Sequence, residues 1–499
     1  MRIDRPRWGL ALLMLPTLIV AMDVTALLLA LPQLSADLGA DNVEQLWISD
    51  SYGLVVAALV ITMGTLGDRI GRRRLLLTGA AAFAVLSVVA AFAVDPLMLI
   101  VVRALLGVAG ATLAPSTLSL ITTMFREERE RGRAVAVWAT GQFAGGALGP
   151  VLAGVLLQHF WWGSVFLIAV PPMALLLLAG PALLPEFRSE RAGRLDPVGV
   201  GLSLGAMLLV VYGVKQLAVD GIAGGSAVGP AVALVVGAVL GLLFVRRQLR
   251  VDEPLLDLRL LRSRPFAAVL VGLVLAGVAM AGTGLLVTQY LQNVLGHSPA
   301  VSAVLFAPMG LGVAVGTMAS PALARRTGTH AAIAGGLVCS ALGGLLLAAV
   351  DGSLVLVMTG ITVLAVGTGP LFALGTVLVL GSVPPQRAGS AASMSETGNY
   401  LGGSLGFALL GVLAAVVYRR RMGGASDSLA GAVAAVRQLP AEQAAVFLQR
   451  AREAFTGALH VTGLAAAAIF AVLAVLMLTM RQSSLEAGAV EDVPEVSRA

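Results

Sequence analysis

Thr140-Gly-Gln-Phe-Ala-Gly-Gly-Ala-Leu-Gly149 returns 257 residues later as Thr397-Gly-Asn-Tyr-Leu-Gly-Gly-Ser-Leu-Gly406, identical at six of ten positions. The same shift lays Asp68-Arg-Ile-Gly71 over Arg325-Arg-Thr-Gly328, and a shift of 258 lays Ala21-Met-Asp-Val-Thr-Ala-Leu-Leu28 over Ala279-Met-Ala-Gly-Thr-Gly-Leu-Leu286. Three separated regions share nearly one register, so the chain reads as two copies of one unit. The apolar runs between these anchors recur at lengths of about 20 residues, the length of a helix that crosses a hydrocarbon layer about 30 Å thick.

The predicted spans are 8–31, 46–66, 75–94, 97–121, 133–157, 163–184, 197–217, 230–247, 265–292, 299–323, 330–350, 353–381, 388–417 and 456–480. Six of them take about 190 residues, so a repeat of 257 leaves room for two more helices between the copies. The expectation is an all-α membrane protein of fourteen transmembrane helices arranged 6+2+6. Its parts are a six-helix bundle in 1–190, two linker helices in 191–255, and a second bundle in 256–499 that carries a long outer loop, 418–455. Equivalent helices are eight apart and run in the same direction, as in parallel repeats with a binding site near the midplane.

Composition agrees: 58% of 499 residues are hydrophobic, 12% are charged and 59 are glycine, which suits close packing of helices through small residues. The only cysteine, Cys339, excludes an intramolecular disulfide. The net charge of +6 does not point to nucleic acid, because the arginines cluster in short loops. One side of the bundle receives Arg69, Arg72–Arg74, Arg129, Arg131, Arg133, Arg246, Arg247, Arg325, Arg326 and Arg387. The short loops of the other side hold Asp37, Asp41, Glu44, Asp95, Asp220 and Asp351, with Lys215 nearby. The positive-inside rule then puts both termini in the cytoplasm. Arg419–Arg421 fall on the wrong side and open the long loop, in which Ser428–Arg437 and Pro440–Phe455 predict two short amphipathic helices. The basic start before an apolar run resembles a signal peptide, but the run reaches Leu31, contains Asp23 and lacks a small-residue cleavage site, so it reads as a retained first helix.

Ionisable groups inside spans cost free energy and mark function. Asp23, Asp50, Arg103 and Glu396 are such groups. Asp23 and Arg103 fall at similar depth, about 13 and 10 Å from one surface at ~1.5 Å per residue. A desolvated carboxylate beside a cation responds to movement of that cation or to arrival of a cationic ligand, the physical basis of a proton-coupled site. In the repeat alignment Asp23 faces Ala281, Arg103 faces Gly360 and Glu396 faces Ala139, so each half carries an acid that its twin lacks.

Gly64-Thr-Leu-Gly67-Asp68-Arg69-Ile-Gly71-Arg72-Arg73-Arg74 links the second and third spans. Its glycines allow a tight turn, and Asp68 can accept a helix-end or arginine contact that locks one conformation. The fifth span places Gly141, Gly145, Gly149 and Gly154 at near-helical spacing with Pro150 among them, a face for close packing with a bend.

These motifs resemble the major facilitator superfamily and, within it, the fourteen-helix drug:proton antiporters. Gly64–Arg74 is similar to the superfamily's loop motif. Leu99-x-x-x-Arg103-x-x-x-Gly107 is similar to its helix-four motif, and Gly145-x-x-x-Gly149-Pro150-x-x-Ala153-Gly154 to its antiport motif, with Ala153 in place of a usual glycine. Asp23-Val-Thr25, Trp47-Ile-Ser-Asp50-Ser-Tyr52 and Gln289-Tyr290-Leu-Gln292 resemble the fourteen-helix branch. The resemblance implies export of lipophilic, often cationic compounds against inward proton flow, with acids at Asp23 and Glu396 serving protonation or cation binding. Thr25, Tyr52, Gln142, Gln289, Tyr290 and Asn399 are the expected polar lining of the cavity.

Other classes are disfavoured. A Gly-x-x-x-x-Gly-Lys loop needs a lysine, and Lys215 is alone and unsuitably placed. His159, His297, His330 and His460 lack metal-ligand spacing. The expectation is therefore a transporter, not an enzyme. It needs no cofactor or metal beyond the proton gradient, and is a monomer in a bacterial cell membrane whose partners are protons, small lipophilic cations and lipid. A dedicated exporter of a single metabolite or self-made antibiotic is the rival.

Overall fold

The computed structural model describes residues 5–491 apart from 126, 187, 189–195, 224–226, 252, 253, 255, 257, 382–387, 427 and 437–439. Some helical side chains also lie outside the description, those of Glu396, Arg129, Lys215 and Asp220 among them. Among the described residues, thirteen helices are long and apolar enough to cross a membrane; a further long helix, Glu128–His159, runs with them.

The first half contains α1 (Arg5–Leu38), α2 (Asn42–Ile70), α3 (Arg72–Ala91), α4 (Pro96–Met124), α5 (Glu128–His159), α6 (Ser164–Leu167) and α7 (Val170–Leu183). Next come α8 (Pro197–Ala223) and α9 (Val228–Arg250). The second half is α10 (Arg264–Gln289), α11 (Pro299–Thr327), α12 (Thr329–Ala348), α13 (Leu354–Gly381), α14 (Ala388–Met422), α15 (Leu429–Val436) and α16 (Ala441–Glu491). Helix starts follow local chemistry. Asp41 accepts from the Glu44 amide while Glu44 accepts from the Asp41 amide, a reciprocal cap. Asp95 and Ser298 cap helices that begin on Pro96 and Pro299, where a missing N–H costs nothing.

Packing repeats as the sequence does. α1 lies on α5 as α10 lies on α14, and α2 on α4 as α11 on α13. α2 turns directly into α3 at Gly71, with φ 113°, and α11 into α12 at Gly328, with φ 86°. These residues are 257 apart, and only glycine adopts that backbone cheaply. The contacts also correct the register of the first helix. Gly145 abuts the Leu18 carbonyl and Gly149 abuts Met22, while Gly402 abuts the Val274 carbonyl and Gly406 abuts Val278. The offset there is 256, not 258, so the twin of Asp23 is Ala279 and not Ala281; the acid still has no counterpart.

The sixth span runs over Ser164–Leu183 as expected, its helix interrupted between α6 and α7 because the adjacent Pro171 and Pro172 supply no N–H for a continuous ladder. One more expectation changes. The second amphipathic helix of the long loop is not separate: α16 runs unbroken for 51 residues because nothing stronger than Gly457 and Gly463 interrupts it. Arg419–Arg421 end α14 beside the first turns of α16, where Tyr418 meets Phe455 edge-on and Arg450 donates to the Arg421 carbonyl. Tyr418 shares a small cavity with Pro32 and Gln45, so the three arginines do lie opposite the Gly71 end.

α8 and α9 pack on each other, and α8 also touches α2 and α14. Val211 of α8 is buried against Leu54 of α2 and Ala408 of α14, so the extra pair leans on both halves.

Candidate functional site

Where the halves face each other there is a cavity of about 330 Å³ lined from α1, α2, α5, α10, α11, α13 and α14. The wall from the first half presents Thr25, Ser49, Asp50, Tyr52 and Gln142. The opposite wall presents Met280, Phe306, Met309, Phe372 and Phe407, with Asn399 and Tyr400 at its edge. Equivalent positions supply both walls: Ser49 and Phe306, Tyr52 and Met309, and Gln142 and Asn399 are each 257 apart. Divergence of the repeat thus made one wall polar and the other aromatic and thioether-rich. Asp50, buried at 1% exposure, faces Ala307 in this register, so it too is an acid without a twin.

Asp23 and Arg103 form a pair one residue behind this cavity. The Arg103 side chain is fully buried and that of Asp23 is 10% exposed; Nη1 of Arg103 donates to Oδ2 of Asp23 at 2.5 Å. Nε of Arg103 donates to the Ile48 carbonyl at 3.2 Å, and the guanidinium carbon stands 4.9 Å from the centre of the Tyr52 ring. Nη2 of Arg103 has no hydrogen-bond partner among the described residues. Tyr52, which lines the cavity, thus carries the cation of the pair against its ring, and its hydroxyl end packs against Gly110 of α4. Movement of the ring would move the cation it carries. Glu396 lies on α14, but its side chain is outside the described residues.

Two of the expected lining residues lie elsewhere. Gln289 borders a smaller cavity nearer the Pro32 end, with Ser35, Gln45 and Tyr418. Tyr290 is fully buried on the π-helical turn Tyr290–Val294 that extends α10 and packs against α16. Neighbouring residues on a helix point about 100° apart, which the sequence spacing alone could not resolve into cavity and core. Thr25, Tyr52, Gln142 and Asn399 line the central cavity.

The Gly64–Arg74 segment is tied in two places. Asp68 accepts from Nε of Arg72 at 2.8 Å, and Gly67 leaves room for that side chain. Arg73 donates to the Pro181 and Leu184 carbonyls at 3.2 and 2.9 Å, satisfying the end of α7, and pairs with Glu186. Arg69 is exposed. Glu186 escaped the sequence reading, as did Asp196. Asp196 accepts from Arg247 at 2.8 Å and from the Gly199 amide at 2.9 Å, joining the start of α8 to the end of α9. The Arg247 hydrogen bond, with help from Gly199 and Gln248, holds the Asp196 carboxyl below the usual carboxylate range. Its visible signal was an Asp before Pro197, an ordinary helix start.

On the fifth-helix motif, Gly145 and Gly149 abut α1, whereas Gly154 abuts Ala300 and Ala303 of α11 in the other half. Pro150 lies inside α5. Gln158 donates to Ser298 at 3.3 Å and Gln292 to the Leu29 carbonyl at 3.5 Å, while Gly411 meets Leu46. The halves are thus in contact at the end that carries Pro32.

Comparison with known proteins decides the family, since a model described as "Major Facilitator Superfamily" matches residues 13–407. The chain belongs to the major facilitator superfamily. Among superfamily relatives it is 40% identical over 481 residues to "Multidrug efflux pump LfrA" of Mycolicibacterium smegmatis, covering 94% of each chain. It is 34% identical to "Methyl viologen resistance protein SmvA" of Salmonella typhimurium, covering 94% of this chain and 97% of that one. The crystal structure of the nucleoside transporter NupG superposes with a TM-score of 0.63 at 14% identity, over 95% of this chain and 99% of that one. The last likeness concerns the superfamily fold alone.

Proposed function

We propose that this chain is a multidrug efflux pump of the fourteen-helix drug:proton antiporter branch, exporting lipophilic cations by alternating access. The observation that carries the reading is the cavity between the halves. One wall offers Asp50 to a positive charge, the other offers Phe306, Phe372 and Phe407 to flat apolar surface, a combination that holds cationic aromatic compounds by charge and by ring contact. The full-length similarity to LfrA and SmvA, whose names speak of multidrug efflux and methyl viologen resistance, supports the same class.

In this reading Asp23 exchanges its proton as Arg103 shifts on the Tyr52 ring, with Glu396 and Asp50 as further proton or cation groups. No cofactor takes part beyond the proton gradient. Residues 1–190 and 256–499 rock against each other, and 191–255 supplies the extra pair. Both termini are cytoplasmic in the plasma membrane of a bacterium, so the end closed by Gln158, Ser298 and Gln292 is the outer one. The working unit is a monomer.

Purified protein in liposomes tests this. An imposed proton gradient should drive accumulation of several unrelated lipophilic cations in inside-out-oriented vesicles, and adding a drug should release protons. Asp23→Asn should insert normally and lose both responses. Movement of one compound only would overturn the multidrug reading in favour of a dedicated exporter, and unchanged proton release in Asp23→Asn would overturn the role of Asp23.

A further inference from the structure

The glycines of α2, α5 and α14 that face the middle of the protein fall into two sets that sequence spacing does not distinguish. Gly145, Gly149, Gly402 and Gly406 each abut the backbone of the first helix of their own half, so their lack of a side chain is explained by packing. Gly53, Gly146 and Gly403 are different. All three line the central cavity, and a Cβ built on any of them meets no neighbouring atom within 4 Å. Glycine is a poorer helix former than alanine, so helix stability gives no reason for glycine at these positions, and neither do the neighbours.

These positions are related by the repeat. Gly146 and Gly403 are 257 apart, as are Gly53 and Gly310, which lines the same cavity. Around them the repeat has diverged, so that Ser49 stands opposite Phe306 and Tyr52 opposite Met309, yet the bare positions have stayed bare in both halves. Beside Gly403 on the same wall, Ser404 is 3% exposed and its buried hydroxyl has no hydrogen-bond partner among the described residues. A buried polar group without a partner is costly unless a ligand or water supplies one.

We infer that Gly53, Gly146 and Gly403 determine specificity by size: they keep the middle of the cavity wide enough for a bulky, multi-ring cation seated between Asp50 and the aromatic wall. The inference rests on the efflux reading above and adds to it the girth of the substrate. It separates these glycines from hinge or packing glycines, because a space-keeping residue tolerates small additions and fails progressively with large ones, and only for wide substrates.

The test is transport by full-length protein in liposomes of two cations of different girth, methyl viologen and tetraphenylphosphonium. It compares wild type with Gly146→Ala, Gly146→Leu, Gly403→Ala and Gly403→Leu, all matched for inserted protein. The alanine variants should raise the KM for tetraphenylphosphonium by a smaller factor than the leucine variants do, in step with the smaller volume added. The leucine variants should raise the KM for tetraphenylphosphonium about tenfold or more, the overpacking of a filled site, while the KM for methyl viologen changes less than about twofold. Equal loss of both cations in the alanine variants would mean a hinge or packing role and overturn the size rule while leaving the efflux reading in place. Unchanged KM for tetraphenylphosphonium in both leucine variants would overturn it as well. Failure of wild type to move either cation would remove the efflux reading itself, and the size rule with it.

Discussion

Removing the charge of Asp23 while keeping its shape, as in Asp23→Asn, leaves Arg103 charged and fully buried with no other ionic partner among the described residues. Loss of one partner of a buried pair costs about 3–5 kcal/mol, because the remaining charge is uncompensated. Here the Ile48 carbonyl and the Tyr52 ring still face the guanidinium, and a desolvated cation on a ring retains about 2 kcal/mol of attraction. The lower end, about 3 kcal/mol, is therefore expected. Replacing both partners, in Asp23→Leu with Arg103→Met, removes the charges together and should recover most of that loss. The measurement is denaturant unfolding of the detergent-solubilised protein followed by tryptophan fluorescence, with both single variants and the double. An Asp23→Asn variant within about 0.5 kcal/mol of wild type, or a double variant no more stable than the weaker single, would refute the claim that the pair is buried and mutually dependent. The double variant should remain unable to couple transport to protons even where stability returns.

Gly145→Val and Gly402→Val should each destabilise by about 1–3 kcal/mol in the same assay, since the added atoms collide with the Leu18 and Val274 carbonyls rather than with a movable side chain. Glu186→Gln should cost less than about 1 kcal/mol, because Arg73 and Glu186 are each a quarter or more exposed and such pairs are screened. The Asp196 carboxyl is held low in the folded protein by Arg247, so its contribution is present above the unfolded value of about 3.9 and is lost as pH falls through the folded value. Thermal stability of wild type should therefore drop towards that of Asp196→Asn below about pH 4 and exceed it at neutral pH; parallel melting curves across that window would contradict the pairing.

The repeat was legible because close helix packing demands small residues at fixed spacing, and the same demand falls on both halves: Gly145 and Gly402 sit on equivalent carbonyls. Scarcity of charge drew attention to Asp23 and Arg103, and their similar depth along antiparallel spans anticipated a contact that occurs at 2.5 Å. The cavity was less legible. Phe306, Met309 and Phe372 carry no signal in the sequence, because an aromatic or thioether side chain in an apolar span is indistinguishable by composition from a lipid-facing or packed one. Gln289 and Tyr290 were misplaced for the converse reason, polarity within a span having been taken to mean the central cavity. Glu186 and Asp196 stand at helix ends, where acids are common, and only their arginine partners on other helices give them weight.

The sequence by itself determined that the chain crosses a membrane many times, that it is built from two equivalent halves with two helices between them, and that Asp50 and Arg103 are charges buried within spans. Hydropathy and spacing act locally along the chain, so they can be read without coordinates. The direction each side chain takes around its helix is decided by which neighbours pack against it, and that is a tertiary matter. Only the folded structure could tell Gly145, pressed against a backbone, from Gly146, one residue on and facing open space.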